Sequence, residues 1–321
     1  MTGVERAGAE PAACVSCGAD GLSVLGAIPW SVSSSSFVGQ ERDRPVAGGT
    51  LYRCRGCSLA FKWPRRPQDE INADHAEGDL VEWDDTFQAR EDWRLAADFV
   101  SRLGSRRTVL DVGCFDGQFL AQFGDGWGKY GVEVHPQAAA RARSRGVRIV
   151  GEDLARDLEK IDDRFEAVVA FDVIEHVPDP LELLGWMSSL ASPGGYVLLS
   201  SGNTDAPSWR FMGSRYWYCT LPAHISFISP RWCRFAARKL GLEVVQVTPF
   251  AHVARRTAAR EARDWVKNAV YKFAPGIARS LRRRGMGAMD VATHAELADS
   301  PPCFGYARDH IFVAFRRPVD V

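Results

Sequence analysis

Residues 110–120, LDVGCFDGQFL, pass from a strand-like pattern into a helix-like one through a turn that holds two glycines. The apolar run TVLDV before the turn predicts a buried strand, and GQFLAQF after it predicts the start of a helix. Gly113 and Gly117 let the backbone pass close to a ligand at this turn, although a glycine pair alone is equally consistent with a tight turn. The acids around the glycines make the pattern more specific.

The same alternation of strand and helix continues along the chain. KYGVEV, VRIV, FEAVVAFDV and YVLLSSG are strand patterns, and PQAAARARSRG, LARDLEKI and PLELLGWMSSLA are helix patterns between them. Later, PRWCRFAARKLG predicts a helix, and LEVVQVTPF and HIFVAFRRP predict two more strands. This succession predicts an α/β domain with a doubly wound, seven-stranded, mostly parallel sheet and helices on both faces.

Three acids follow the first three strands of the predicted sheet, where such sheets bind their ligands. Asp111 closes the first strand, and Glu133 closes the second about 20 residues later, where an acid can hold a ribose diol. Asp153 follows the third strand, within reach of a purine amine. The glycines are not spaced G-x-G-x-x-G, and Asp116 is expected to direct a negative charge at any pyrophosphate. A ligand with a cationic end, such as S-adenosylmethionine, is therefore favoured over a dinucleotide, and a dehydrogenase is disfavoured.

Four motifs in order carry a resemblance to a known family. VLDVGCFDGQFL, YGVEVHP, FDVIEHVPDP and SPGGYVLLSSGN resemble those of class I S-adenosylmethionine-dependent methyltransferases, which have a Rossmann-like fold. The resemblance covers about residues 105–250, and Phe115 stands where a third glycine is common. It implies that the last strand, HIFVAFRRP, runs antiparallel. It also implies a set of cofactor-binding residues: Asp111, Gly113, Cys114, Phe115, Gly117, Glu133, Asp153, Leu154, Phe171 and Asp172.

Four of the eight cysteines form two CxxC pairs in the N-terminal region. In a reducing compartment such pairs indicate a metal rather than disulfides, and two pairs complete a tetrahedral Zn²⁺ site. The four ligands are then Cys14, Cys17, Cys54 and Cys57. Four thiolates leave no position open for a substrate, so the zinc is expected to be structural. The alternative is two unrelated redox or structural pairs.

The N-terminal pattern also resembles bacterial methyltransferases that carry a zinc module and act in polysaccharide or natural-product pathways. We therefore divide the chain into a zinc ribbon-like module (1–65), a helical linker or cap (66–104) and a methyltransferase domain (105–321). A basic helical insertion at 251–308 precedes the last strand. It is interpreted as a solvated cap, with a specific anion site as the alternative.

Residues 208–232, SWRFMGSRYWYCTLPAHISFISPRW, resemble the acceptor-side segment of that group. Its aromatic residues are candidates for substrate binding, with ordinary core packing as the alternative: Trp209, Tyr216, Trp217 and Tyr218. Two histidines are candidates for the catalytic base, His224 in this segment and His176 in the EHVPDP motif. Each is also consistent with a structural hydrogen bond. Both together, or neither, remain open.

These features predict O-methylation of a small-molecule acceptor, namely a sugar, nucleotide sugar or natural product, by in-line SN2 transfer. C- or N-methylation on the same scaffold and a non-catalytic binding module are the alternatives. The formal net charge is zero, which gives no support for a nucleic-acid partner. No apolar run reaches the roughly 20 residues of a membrane span, and the N-terminus lacks a secretory pattern, so a cytoplasmic protein is expected. The oligomeric state stays open.

Overall fold

The computed structural model describes residues 10–29, 31–32, 45–46, 48–76, 90–103, 108–251, 257–283 and 300–319. The N-terminal part contains five strands: β1 Leu22–Ala27, β2 Ser31–Val32, β3 Pro45–Val46, β4 Thr50–Cys54 and β5 Ala60–Trp63. Two helices follow, α1 Gln68–Ala76 and α2 Glu91–Val100. Both helices lie within the predicted helical linker, 66–104.

From Thr108 onward the chain alternates strands and helices: β6 Thr108–Val112, α3 Gln118–Ala121, β7 Gly128–Val132, α4 Pro136–Ser144, β8 Arg148–Gly151, α5 Leu154–Asp157, β9 Phe165–Phe171, α6 Pro180–Leu190 and β10 Ala191–Gly202. These are followed by α7 Pro207–Met212, α8 Trp217–Thr220, β11 Ser226–Phe227, α9 Pro230–Leu240, β12 Glu243–Phe250, α10 Ala258–Phe273, α11 Pro275–Arg283 and β13 His310–Arg316. A short 3₁₀ turn, Ile174–His176, links β9 to α6.

Seven strands form one sheet in the order β12-β13-β10-β9-β6-β7-β8. Strands β8, β7, β6, β9 and β10 are parallel neighbours, and β13 runs antiparallel to both β10 and β12. This confirms the predicted Rossmann-like sheet with an antiparallel last strand. The strand order reverses between β6 and β9, so a crevice opens at their carboxyl ends, the usual place for a ligand.

Alternating side chains of the sheet enter two cores, one on each face. Leu110 and Val168 pack with helices α6 and α9 on one face. Val109 and Val169 pack with α2, α3 and α4 on the other. Because both faces are covered, the central strands read as continuous apolar runs in the sequence.

Helix starts on this scaffold are set by a proline and a capping side chain. Asp179 Oδ1 accepts the N–H of Leu181 just before α6. Ser229 Oγ accepts the N–H of Trp232 at the start of α9, which ends at Gly241 in the left-handed region. These signals are local, which is why the helix positions were readable from the sequence.

A second sheet joins the N-terminal part to the later part of the chain. Its order is β1-β4-β5-β11, so its last strand, β11, comes from the 208–232 segment. The two parts also share one hydrophobic core, in which Phe61 and Leu59 lie in the same cluster as Trp232. The predicted divisions at residues 65 and 104 stay predictions. The predicted insertion, 251–308, contains α10 and α11 within its described residues.

No helix in the described ranges combines the length and the apolar character that a bilayer crossing requires.

Candidate active site

The loop after β6 comes very close to its neighbours. Gly113 and Gly117 have φ angles of +79° and +80°, which favour glycine. The N–H groups of Gly113 and Cys114 both donate to the carbonyl of Val132, at 2.9 and 3.1 Å. A Cβ on Gly113 would lie 2.7 Å from Val173 Cγ2. The glycine pair therefore does more than make a turn, since a side chain at Gly113 would collide with the segment that follows β9.

Glu133 fastens this loop from the end of β7. One carboxylate oxygen accepts the N–H of Phe115 at 2.7 Å, and the other accepts the N–H of His135 at 2.8 Å. Phe115 has φ +48°, an unfavourable angle for a non-glycine residue. Glu133 is 7% exposed, and its burial raises its pKa. It has a structural role that the sequence did not reveal, although each oxygen keeps a lone pair for another donor.

Asp111 is the buried acid whose charge is least compensated in this loop. It is 2% exposed, and among the described residues its Oδ1 atom has no hydrogen-bond partner. Burial, then the neighbouring Glu133 carboxylate, raises the pKa of Asp111 to about 8. A cation placed here would restore the ionised form. The residues present thus fit the ammonium end of S-adenosylmethionine.

Asp116 does not face the ligand side of the loop, which corrects the sequence-based expectation. Its buried carboxylate lies 3.0 Å from Arg145 Nη1 and accepts the backbone and side-chain amides of Gln118. Arg145 also donates to the Asp116 carbonyl. The charge is neutralised within the protein, so Asp116 offers no argument against a phosphate ligand.

The other predicted cofactor residues divide between the crevice and the core. Asp153 accepts the N–H of Arg156 and so stabilises the start of α5. Leu154 begins α5, but its side chain lies outside the described part of the structure. Cys114 is buried, with its sulfur over Gly131, where a Cβ would lie 2.4 Å away. Phe171 is also buried and packs edge-to-face on Phe119.

Arg90, which lies in none of the sequence motifs, forms ion pairs with two carboxylates near the end of β9. Arg90 Nη2 lies 2.6 Å from Asp172 Oδ2 and 2.5 Å from Asp92 Oδ2. Burial alone would lower the pKa of Arg90, but the two carboxylates hold it raised. Asp92 is fully buried and also accepts from Ser200 at the end of β10. This network ties the start of α2 to strands β9 and β10.

Three histidines meet beside the carboxyl end of β9. The His176 ring lies 4.7 Å from the rings of both His75 and His224, in edge contacts. His176 Nδ1 is 3.2 Å from the Ala223 carbonyl, so Nδ1 donates and Nε2 remains an acceptor. Burial lowers the pKa of all three, to about 4 for His75 and well below the usual value for His176 and His224. The structure therefore brings both candidate bases together as neutral imidazoles.

Glu175 connects this histidine cluster to the aromatic segment. It is fully buried and accepts hydrogen bonds from Tyr218 Oη and from Ser201 Oγ. Burial, then the nearby Asp172 charge, raises the pKa of Glu175 to about 7. Tyr218 also packs its ring on His224, with centroids 4.2 Å apart. Glu175 was not predicted as a site residue, although its place beside His176 in the EHVPDP motif was the available signal.

The predicted acceptor aromatics differ in their surroundings. Trp209 and Tyr216 are buried and stacked on each other, and the Tyr216 hydroxyl donates to Asp309. Trp217 is partly buried against the same cluster. Of the four, Tyr218 is the ring that reaches the histidines.

The four N-terminal cysteines converge on one point. The sulfur atoms of Cys14 and Cys57 are 3.6 Å apart, as are those of Cys17 and Cys54, and all four lie within 4.8 Å of one another. A tetrahedral zinc site with Zn–S bonds of about 2.3 Å has sulfur–sulfur distances of about 3.8 Å. Disulfide bonds would need about 2.05 Å. Burial raises the pKa of Cys17 to about 11, so full ionisation needs a cation.

Comparisons with known proteins agree with this geometry. A family model described as a methyltransferase domain matches residues 87–247, half of the chain. The ubiquinone biosynthesis O-methyltransferase of Thiobacillus denitrificans is 30% identical over 156 residues, which cover 44% of this chain and 67% of that protein. The protein of the same name from Pseudomonas paraeruginosa is 32% identical over 157 residues, 44% of this chain and 66% of its own.

The chain spans about two thirds of the length of these curated relatives. A solved structure of the N-methyltransferase NodS from Bradyrhizobium japonicum aligns at 15% identity and a TM-score of 0.44, covering 78% of this chain and 98% of that one. With the matched family model, the motif order and the sheet topology in place, the chain belongs to the methyltransferase domain family and is a class I S-adenosylmethionine-dependent methyltransferase.

Proposed function

We propose that this enzyme methylates a hydroxyl oxygen of a small-molecule acceptor, a sugar, nucleotide sugar or natural product, in a biosynthetic pathway. The observation that carries the proposal is the pair of neutral, buried imidazoles of His176 and His224 beside the ligand crevice. A hydroxyl must lose its proton as it is methylated, and a positioned imidazole can accept it. The relatives' names, which specify O-methylation, add support.

The cofactor would be held by the groups around the β6 loop. We assign the ammonium group to Asp111, the ribose diol to Glu133 and the adenine to Asp153 with Leu154. The Gly113 to Gly117 backbone, with Cys114 and Phe115, would face the methionine portion. Phe171 and Asp172 would line the end of β9. When bound, S-adenosylmethionine supplies an electrophilic methyl group on a sulfonium.

The acceptor would lie against Tyr218 and the histidines. His224 is the first candidate for the base and His176 the second. His176 qualifies because its Nδ1–H donates to the Ala223 carbonyl, which leaves its Nε2 atom as an acceptor. Trp209, Tyr216 and Trp217 would support this wall from behind. The buried rings keep water away, so the acceptor proton has the imidazole as its destination.

The four cysteines fit a structural zinc ion, and we propose that they hold one. Four sulfur ligands saturate a tetrahedral ion, so it takes no part in methyl transfer. Clustered thiols persist in reducing compartments, which supports a cytoplasmic location.

A second candidate is C- or N-methylation on the same scaffold. The same imidazoles would serve this chemistry too, since a base with a lowered pKa deprotonates most readily an acceptor that is already acidic, such as an enol or an ammonium group. Among hydroxyl acceptors, the same observation favours a phenol over a sugar alcohol.

The test is to incubate the full chain with methyl-labelled S-adenosylmethionine and separate pools of nucleotide sugars, glycosides and phenols. Mass spectrometry then locates the labelled atom. Label on oxygen supports the proposal, and label on carbon or nitrogen selects the alternative. Absence of any affinity for S-adenosylhomocysteine in calorimetry would instead favour a non-catalytic binding module.

A further inference from the structure

The segment that carries His224, residues 221–227, is held on one side by the methyltransferase domain. The N–H of Ile225 donates to the Glu175 carbonyl at 2.8 Å. The carbonyl of Ala223 accepts from His176 Nδ1, and Ser226 Oγ donates to the Val177 carbonyl at 3.1 Å. The turn after β9 therefore holds this segment by hydrogen bonds at Ala223, Ile225 and Ser226.

The N-terminal part holds the same segment on the opposite side. The backbone N–H of Lys62 donates to the Ile225 carbonyl at 3.0 Å, and its Nζ donates to the Leu221 carbonyl at 2.5 Å. Strand β5, which ends beside Lys62, pairs with β11 within the segment. Arg65 Nη2 adds a bond of 2.9 Å to Ser226 Oγ. His224 thus lies in a segment, 221–227, that two different parts of the chain hold by hydrogen bonds; we call this segment the His224 strap.

Lys62 is an unusual residue for this position. It is 5% exposed, whereas lysines are almost never fully buried without a charged partner. Across the described ranges no carboxylate pairs with it, and its Nζ bond goes to a neutral carbonyl. Burying an amine in this way costs free energy. The hydrogen bond from Nζ to the Leu221 carbonyl offsets part of this cost.

We propose that Lys62 is a positioning residue for the acceptor site, through which the N-terminal module fixes the His224 strap. The inference rests on the proposed function in placing the acceptor beside His224. The cofactor loop between β6 and α3 makes its anchoring bonds to β7 and is outside this strap.

The experiment uses Lys62→Met in the full chain, which keeps the apolar stem and removes the Nζ donor. Hydrogen exchange of amides in 221–227 should accelerate by about tenfold, as expected when a buried hydrogen bond is lost. Exchange in β6 and β7 and the affinity for S-adenosylhomocysteine should stay within about twofold. Arg55→Met is the matched control, because Arg55 is exposed in the same module and its side chain donates to Ser23 Oγ, away from the strap.

A merely structural role predicts a different result. If Lys62→Met accelerates exchange equally in β6 and β7, or leaves 221–227 unchanged, the positioning role is overturned. If the variant does not fold, Arg65→Met removes a second donor to the strap and should loosen the same peptides. With phenol as the acceptor probe, Lys62→Met should lower kcat/KM for phenol without changing KM for S-adenosylmethionine. Exchange and cofactor affinity remain decisive even if no acceptor pool is methylated, so failure of the proposed function is a separate result.

Discussion

The two proposed halves of the crevice, one for the cofactor and one for the acceptor, are built in opposite ways. The proposed cofactor half comes from one contiguous stretch, in which Asp111, Gly113 and Glu133 lie at the ends of two neighbouring strands. A backbone bond from Gly113 to Val132 and the Glu133 carboxylate on the Phe115 N–H join these ends. The acceptor half collects His75, the Glu175–His176 turn and the 218–224 segment from distant parts of the chain. Cofactor binding, which a whole family shares, can come from residues close together in the sequence. Recognition of one acceptor needs residues that only the fold brings together.

The halves also differ in charge. The cofactor half concentrates buried carboxylates, and burial, followed by repulsion from Glu133, raises the pKa of Asp111. The acceptor half offers neutral imidazoles and aromatic rings, because burial lowers the histidine pKa values. A cation is thus favoured on one side and a neutral, deprotonatable group on the other. Variants that damage one half at a time should therefore have separable effects.

Zinc removal should have the largest effect, and it should strike the acceptor half. We expect about one zinc per chain, and chelation or Cys54→Ser should unfold the N-terminal module, since structural zinc contributes about 10–16 kcal/mol to folding in small zinc peptides. Cofactor binding should persist. Elemental analysis, hydrogen exchange and calorimetry measure these three quantities. Cys303→Ser, at an exposed thiol outside the cluster, is the control. Metal content near zero in protein prepared without chelator would remove the zinc assignment.

Loss of the base should be the next largest effect. His224→Ala should lower kcat by about 10²–10⁴-fold while leaving S-adenosylmethionine affinity nearly unchanged. His176→Ala, nearer the cofactor, should disturb both. His224→Gln keeps hydrogen-bonding capacity without basicity and should lose as much rate as alanine. If only His176→Ala loses activity, the base is His176, and if neither does, the acceptor needs no strong base.

The pH profile tests the same assignment. A base with a lowered pKa loses activity only when the pH falls through that lowered value. The decline attributable to His224 or His176 should therefore begin below the ordinary histidine value of about 6.5. An acid limb centred at or above 6.5 that disappears in both variants would contradict the buried, neutral imidazoles.

Glu133→Ala should weaken cofactor binding by about 1.5–3 kcal/mol, the range for hydrogen bonds to a charged group. Two losses combine in this variant, namely the ribose contacts and the anchor on Phe115. The sheet should survive, since Glu133 lies beyond the last residue of β7. Calorimetry with S-adenosylhomocysteine provides the measurement, and Glu133→Gln, which keeps one carbonyl acceptor, should lose less. Unchanged affinity in the alanine variant would end the ribose assignment.

Asp111→Asn should have the smallest effect on affinity, about tenfold, because the amide still accepts a hydrogen bond. With a pKa of about 8, Asp111 is mostly protonated at pH 7, and pairing with an ammonium group should ionise it. Cofactor binding at pH 7 should therefore release up to about one proton, and the variant should release less. Titration calorimetry in buffers of different ionisation enthalpy counts the protons. Equal release by both proteins would separate Asp111 from the cofactor.

The sequence predicted the sheet well because its signals are local. Each strand is an apolar run, and helices such as α6 and α9 begin at a proline behind a capping residue. Asp116 was misread because its partner, Arg145, comes from the end of α4, 29 residues further along the chain. Arg90, Glu175 and Lys62 were missed for a related reason. Their roles depend on partners 26 to 159 residues away, and no spacing rule links such positions.

The shared sheet has a consequence for how the chain matures. Strand β5 is synthesised long before β11, so its outer edge stays unpaired until residue 227 has left the ribosome. An open strand edge is a template for the wrong partner. A truncated N-terminal fragment would carry that edge permanently, and should self-associate through it even with its cysteines loaded. The N-terminal module leaves the ribosome first, but its sheet is complete only after β11 has been synthesised.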